Sequence, residues 1–78
     1  MASTGNPDRA LLSQLTGRER EVLRRTALGE TNAEIATALG VTVHAVKFHL
    51  GSIFRKLGVG NRTTAAAIFL AGVGGTAG

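Results

Sequence analysis

The amino-acid sequence predicts an all-α fold, a compact four-helix bundle that contains a helix-turn-helix. Three observations point there. Thr16, Thr31 and Thr42 each stand just before apolar residues of helical period, and Glu19 and Glu34 follow the first two by three positions. Gly29, Gly40 and Gly58 stand where those patterns stop, and glycine readily takes the left-handed conformation that closes a helix. No stretch carries a strand signal. With 78 residues the chain makes one small domain with a thin core.

In chain order, Met1 to Asp8 is small and polar, and residues 1–13 are expected to be a tail or linker. Leu11, Leu12 and Leu15 form an apolar lead-in that should pack across the first helix. Thr16-Gly17-Arg18-Glu19 is a capping box, so the first helix runs from Gly17 to Leu28, with Val22, Leu23, Thr26 and Ala27 on one side. Thr31-Asn32-Ala33-Glu34 is a second capping box, followed by Ile35, Ala36 and Leu39 at helical spacing before Gly40 ends the second helix. Thr42 caps the third, Val43 to Leu57. Val59-Gly60 is a link, and Asn61 caps a fourth helix from Arg62 to Ala71. The domain proper should span 14–72, with 73–78 a flexible tail.

Composition narrows the class. The chain has no cysteine, so neither disulfides nor thiolate metal sites hold it together. Nine Lys+Arg against five Asp+Glu give a net charge of +4, which suits a polyanionic partner. The apolar run Ala65 to Val73 is far shorter than the roughly 18 residues a membrane span needs, and the N-terminal residues do not resemble a secretory signal. A soluble, cytoplasmic protein with no membrane partner is expected. Glu19 and Glu34 are accounted for by capping, and Glu21 pairs with Arg25 one turn on. No nucleophile stands with a base and an orienting partner, so no enzyme activity or cofactor is expected. His44 and His49 are five apart, whereas two histidines chelating from a helix prefer a spacing of four.

Two helices joined by a tight, glycine-containing turn form the unit that lays its second helix in the major groove of double-stranded DNA. At 100° per residue, Val46, His49, Leu50, Ile53 and Leu57 share the inner side of the third helix, with Phe54 beside them. The outer side carries His44, Lys47, Phe48, Gly51 and Arg55. Lys47 can donate to guanine O6 or N7, Phe48 can meet a thymine methyl, and Gly51 lets the backbone approach closely. A solvated helix face would also carry Lys47 and Arg55. The large aromatic Phe48 on that side favours an interface.

The motifs Leu15-Thr16-x-Arg18-Glu19-x-Glu21-Val22-Leu23, Gly29-x-Thr31-Asn32-x-Glu34-Ile35-Ala36 and Val46-Lys47-x-His49-x-x-x-Ile53-x-x-Lys56-Leu57-Gly58-Val59 resemble the LuxR/FixJ (GerE-type) DNA-binding domain, and Arg62 and Ala66 continue the pattern. The resemblance covers Leu15 to Ala71. It implies a four-helix domain of a bacterial transcription factor, with base-reading positions at Lys47, Phe48 and Gly51, beside which His44 is a further candidate. It also places phosphate contacts around Thr31, Asn32 and Thr42, and Arg55, Lys56 and Arg62 join these by charge. The family commonly has Ser or Thr where Ala45 stands, and a long polar or basic residue where Gly51 stands. The lead-in Asp8 to Leu15 is similar to the hinge of receiver-linked members, which points to the effector domain of a NarL-like response regulator in a two-component system.

Ala66, Phe69 and Leu70 of the fourth helix should face the core, yet Ala67, Ile68 and Ala71 are apolar on the far side. A helix apolar all round is buried on both sides, so a homodimer through Thr64, Ala67, Ile68 and Ala71 is expected, the alternative being a terminal helix that meets a missing part of its own chain. Two other readings stay open. One is a sigma-factor region 4-like promoter binder, which shares the Arg-Glu-x-Glu-Val-Leu entry. The other is a protein-interaction module that contacts RNA polymerase or a regulator.

Overall fold

The computed structural model describes residues 6–74, which form five helices: α1 (Pro7–Leu12), α2 (Gly17–Ala27), α3 (Asn32–Leu39), α4 (Val43–Leu57) and α5 (Arg62–Gly74). There is no strand among them. The four expected helices are α2 to α5, and each begins where its cap predicts. Both capping boxes form: the Thr16 hydroxyl accepts from Glu19 N while Glu19 Oε1 accepts from Thr16 N, and Thr31 and Glu34 do the same. Thr42 Oγ1 accepts from Ala45 N, and Asn61 Oδ1 from Thr64 N.

At their far ends α2, α3 and α4 close alike. The backbone N–H of Glu30, Val41 and Val59 each reaches back five residues, to the carbonyls of Arg25, Ala36 and Phe54. These six-to-one closures satisfy orphan carbonyls and require a left-handed residue, supplied by Gly29, Gly40 and Gly58 at φ of 93°, 69° and 72°. Only Gly40, Val41 and Thr42 separate α3 from α4, and this tight link fixes the helix-turn-helix.

The extra helix, α1, lies inside the stretch 1–13 expected to be linker. Asn6 caps it by accepting from Asp8 N at 2.8 Å, and Pro7 occupies the first turn, where a missing N–H does no harm. Six residues do not hold a helix alone. Packing holds this one: α1 docks chiefly on α5, rather than across α2 as the lead-in suggested. Leu12 joins the core, and Asn6 Nδ2 donates to the Ala71 carbonyl at 3.0 Å. Gly72 makes this approach possible, since a Cβ there would collide with Leu12 Cδ1 and stand 3.4 Å from Arg9 N. α5 runs on through Val73 and Gly74, the first two residues of the expected tail. The rest of the two expected tails, 1–5 and 75–78, lies outside the described residues.

The core gathers one face from each helix: Leu12 and Leu15, Val22 and Leu23, Ile35 and Ala36, then Val46, Leu50, Ile53 and Leu57 of α4, and Ala65 and Phe69 of α5. Leu23, Ile35 and Ile53 are fully buried, each worth about 1.5–3 kcal/mol of transfer free energy. One register expectation fails. Phe69 faces the core as expected, but Ala66 is only half-buried and Leu70 is 54% exposed; Ala65 and Gly72 complete the inner face.

Candidate nucleic-acid interface

The inner face of α4 is buried along its length, which turns the opposite face to solvent. His44, Lys47, Phe48 and Arg55 are exposed there, and Gly51 is half-buried. Phe48 is 68% exposed and stands T-shaped to the half-buried His49 ring, with centroids 6.0 Å apart. The expected outer set therefore shares one strip of helix surface.

The expected backbone-contacting residues fall into three situations. Thr31 and Thr42 each accept one backbone N–H as a helix cap, which leaves the hydroxyl hydrogen to donate outward from an exposed position. Asn32 and Arg62 form a strut: Arg62 Nη1 donates to Asn32 Oδ1 at 2.8 Å and Nη2 to the Glu30 carbonyl at 3.0 Å. Both acceptors are neutral, so Arg62 keeps its net charge and Asn32 keeps its Nδ2 donors. Lys56 differs, because its ammonium is paired at 2.8 Å with the Glu19 carboxylate, which offsets its charge.

Glu19 is a polar hub as well as a helix cap. Its residue is 5% exposed, and its carboxylate accepts from Thr16 N, from Ser52 Oγ at 2.7 Å and from Lys56 Nζ. Burial pushes its carboxyl up, but the hydrogen bonds from Lys56, Thr16 and Ser52 outweigh that and hold it at about 2. The cluster clamps the last two turns of α4 to the start of α2. Ser52 was not among the expected site residues; its only signal is its place one turn before Lys56 on the helix. Glu21 pairs with Arg25 as expected and with Arg24 as well.

Three of the nine Lys and Arg side chains, Arg24, Arg25 and Lys56, enter ion pairs, and the other six find no carboxylate among the described residues. Lys47, Arg55 and Arg62 belong to those six. Lys47 and Arg62 line an open notch of about 290 Å³ with Asn32, Leu50, Gly51 and Phe54, where α3, α4 and α5 meet. On α5, Thr64, Ala67 and Ala71 are exposed as expected for a second interface, whereas Ile68 is half-buried against the core.

A helix-turn-helix with a buried inner face and a cationic, aromatic outer face is the architecture of a nucleic-acid-binding domain. Comparison with known proteins makes the class specific. Residues 13–69 match the family described as Bacterial regulatory proteins, luxR family, and the chain belongs to it. The chain is 47% identical over 57 residues to the probable transcriptional regulatory protein SgaR of Hyphomicrobium methylovorum, covering 73% of this chain and 27% of the relative. It is 54% identical over 52 residues to the transcriptional activator protein AnoR of Acinetobacter nosocomialis, covering 67% and 22%. To the putative HTH-type transcriptional regulator YhjB of Escherichia coli K12 it is 49% identical over 55 residues, covering 70% and 28%. The matched region thus spans about a quarter of each relative. The chain is a DNA-binding, transcription-regulatory domain of the luxR family.

Proposed function

We propose that the domain reads duplex DNA in the major groove through α4, with Lys47, Phe48 and His44 at the base edges and Thr31, Asn32, Thr42, Arg55 and Arg62 toward the phosphates. Lys56 acts behind them, holding α4 in place through Glu19. One observation carries this reading: α4 buries Val46, Leu50, Ile53 and Leu57 while turning the unpaired Lys47 and Arg55 and the exposed Phe48 outward together. Lys47 makes the strongest single contribution, by donating to guanine.

Two copies pair through the exposed side of α5, so that two α4 helices meet two half-sites. The interface comprises Thr64, Ala67 and Ala71, with Leu70 joining at one edge and Ile68 at the other. In the whole protein a further domain supplies the signal; α1, docked on α5, is the natural entry point from a receiver such as that of a response regulator, and bound dimers contact RNA polymerase. The protein works in the cytoplasm on the nucleoid. No helix among the described residues is long and apolar enough to cross a membrane.

Selection from a random duplex pool, at moderate salt with competitor DNA, tests the reading. Enrichment of two short half-sites at fixed spacing is expected. Lys47→Ala should then weaken the selected site by about 1–3 kcal/mol and relax the preference at one position per half-site. Salt-sensitive binding without enrichment would remove the base-reading roles. No binding at all would favour a protein-interaction module.

A further inference from the structure

Gly51 sits in the interior of α4, where glycine is the poorest helix former after proline. Nothing among the described residues asks for it. Its backbone is helical, without the positive φ of Gly29, Gly40 and Gly58, and a Cβ built there would meet only Arg55 Nη1 at 3.9 Å, an ordinary contact. Gly72 is the contrast, since there a neighbouring helix occupies the space. At Gly51 the gap opens outward into the notch.

The surroundings of that gap are specific. Lys47 and Arg55 lie one turn before and one turn after Gly51, and Arg62 stands across the notch; none has a carboxylate partner among the described residues. Asn32 brings amide donors, while Leu50 and Phe54 give the notch an apolar wall. Three unneutralised cations and an amide beside an apolar wall, over a stretch of helix with no side chain, fit a group that is anionic at one end and apolar at the other.

We propose that the Gly51 notch seats one deoxyribose-phosphate unit of the DNA backbone, the phosphate between Arg55 and Arg62 and the sugar against Gly51 and Phe54, while Lys47 at the notch edge reaches on to the bases. This rests on α4 being the DNA-facing helix, and it moves Gly51 from the base-reading set to the backbone set. The missing side chain lets the helix come close, and the contact fixes the depth and angle at which Phe48 and His44 meet the bases.

The test is Gly51→Ala, which should raise Tm by about 4–8 °C because alanine is the better helix former and has room. The same variant should weaken the selected site and random duplexes by a similar factor, on the order of tenfold, as loss of a charge-assisted contact does. One neutral methylphosphonate per half-site, scanned along the backbone, should abolish the difference between wild type and variant at a single position. A higher Tm with unchanged affinity would overturn the proposal. So would weakening confined to the selected site with an altered base preference, which would return Gly51 to base reading. If the wild type bound no duplex, the DNA-facing role of α4 would fall and the seat with it, whereas the first two failures leave that role standing.

Discussion

Burial alone would lift the Glu19 carboxyl above its ordinary value of 4.5, yet Lys56, Thr16 N and Ser52 together hold it at about 2. Its folded-state value is depressed, so its contribution to stability is full above about pH 4.5 and is lost as pH falls toward 2. Glu21, held at about 2 chiefly by Arg24, titrates in the same window, so only a variant separates the two. Glu19→Gln keeps an acceptor for Thr16 N and turns an amide N–H toward Ser52, whose hydroxyl can accept it, but removes the charge facing Lys56. The Lys56 side chain is 36% exposed and can turn to water, which sets the cost at about 1–3 kcal/mol rather than the larger penalty of a stranded buried charge. At neutral pH the variant should therefore be less stable by that amount, and its Tm should fall less steeply than that of the wild type between pH 5 and 3. Parallel Tm curves over that range would show that Glu21 or another group carries the acid sensitivity.

Elements were legible wherever their signals are local. Caps at Thr16, Thr31, Thr42 and Asn61 and closures at Gly29, Gly40 and Gly58 need only neighbours within five residues, and all of them formed. What was hidden depends on distant partners. Ser52 and Lys56 meet Glu19 across 33 and 37 positions, and Arg62 meets Asn32 across 30. α1 carries too few residues for a periodic stripe and exists because α5 receives it. α5 itself is apolar on every side, so its sequence could not say whether Ala65 or Leu70 turns inward. The α1–α5 junction makes its own prediction at Gly72, where alanine gains helix propensity worth about 1 kcal/mol but overpacks a site whose neighbour Leu12 is itself buried. Overpacking costs about 1–3 kcal/mol, so Gly72→Ala should lower Tm, opposite in sign to Gly51→Ala. A thermal melt showing the same rise for both alanines would mean that α1 does not press on α5.

For the molecule as a whole, apolar surface on α5 decides between one copy and two. Ala67, Leu70 and Ala71 are exposed side by side at the spacings of a single helix face, with Thr64 a turn before Ala67, and the small side chains allow a second helix to come close. The cationic α4 face lies on a different helix, so pairing through α5 leaves both copies of α4 free to meet half-sites. Pairing also bears on charge, since each copy carries +4 and two copies repel until phosphates neutralise them. Dimerisation should therefore be weak in free solution and strengthened on DNA, and the affinity for a two-half-site duplex should fall with log salt at about 0.9 per phosphate neutralised. Ile68 is a poor place to test this, because it is half-buried and a charge there would also disturb the core. Ala67→Glu is cleaner, since Ala67 is exposed and the fold does not depend on it. The variant should keep the wild-type Tm and single half-site affinity, lose cooperative occupancy of two half-sites, and show roughly half the wild-type salt slope on the paired site. An unchanged paired footprint at unchanged salt slope would place the dimer elsewhere, or show that each α4 reads its half-site alone.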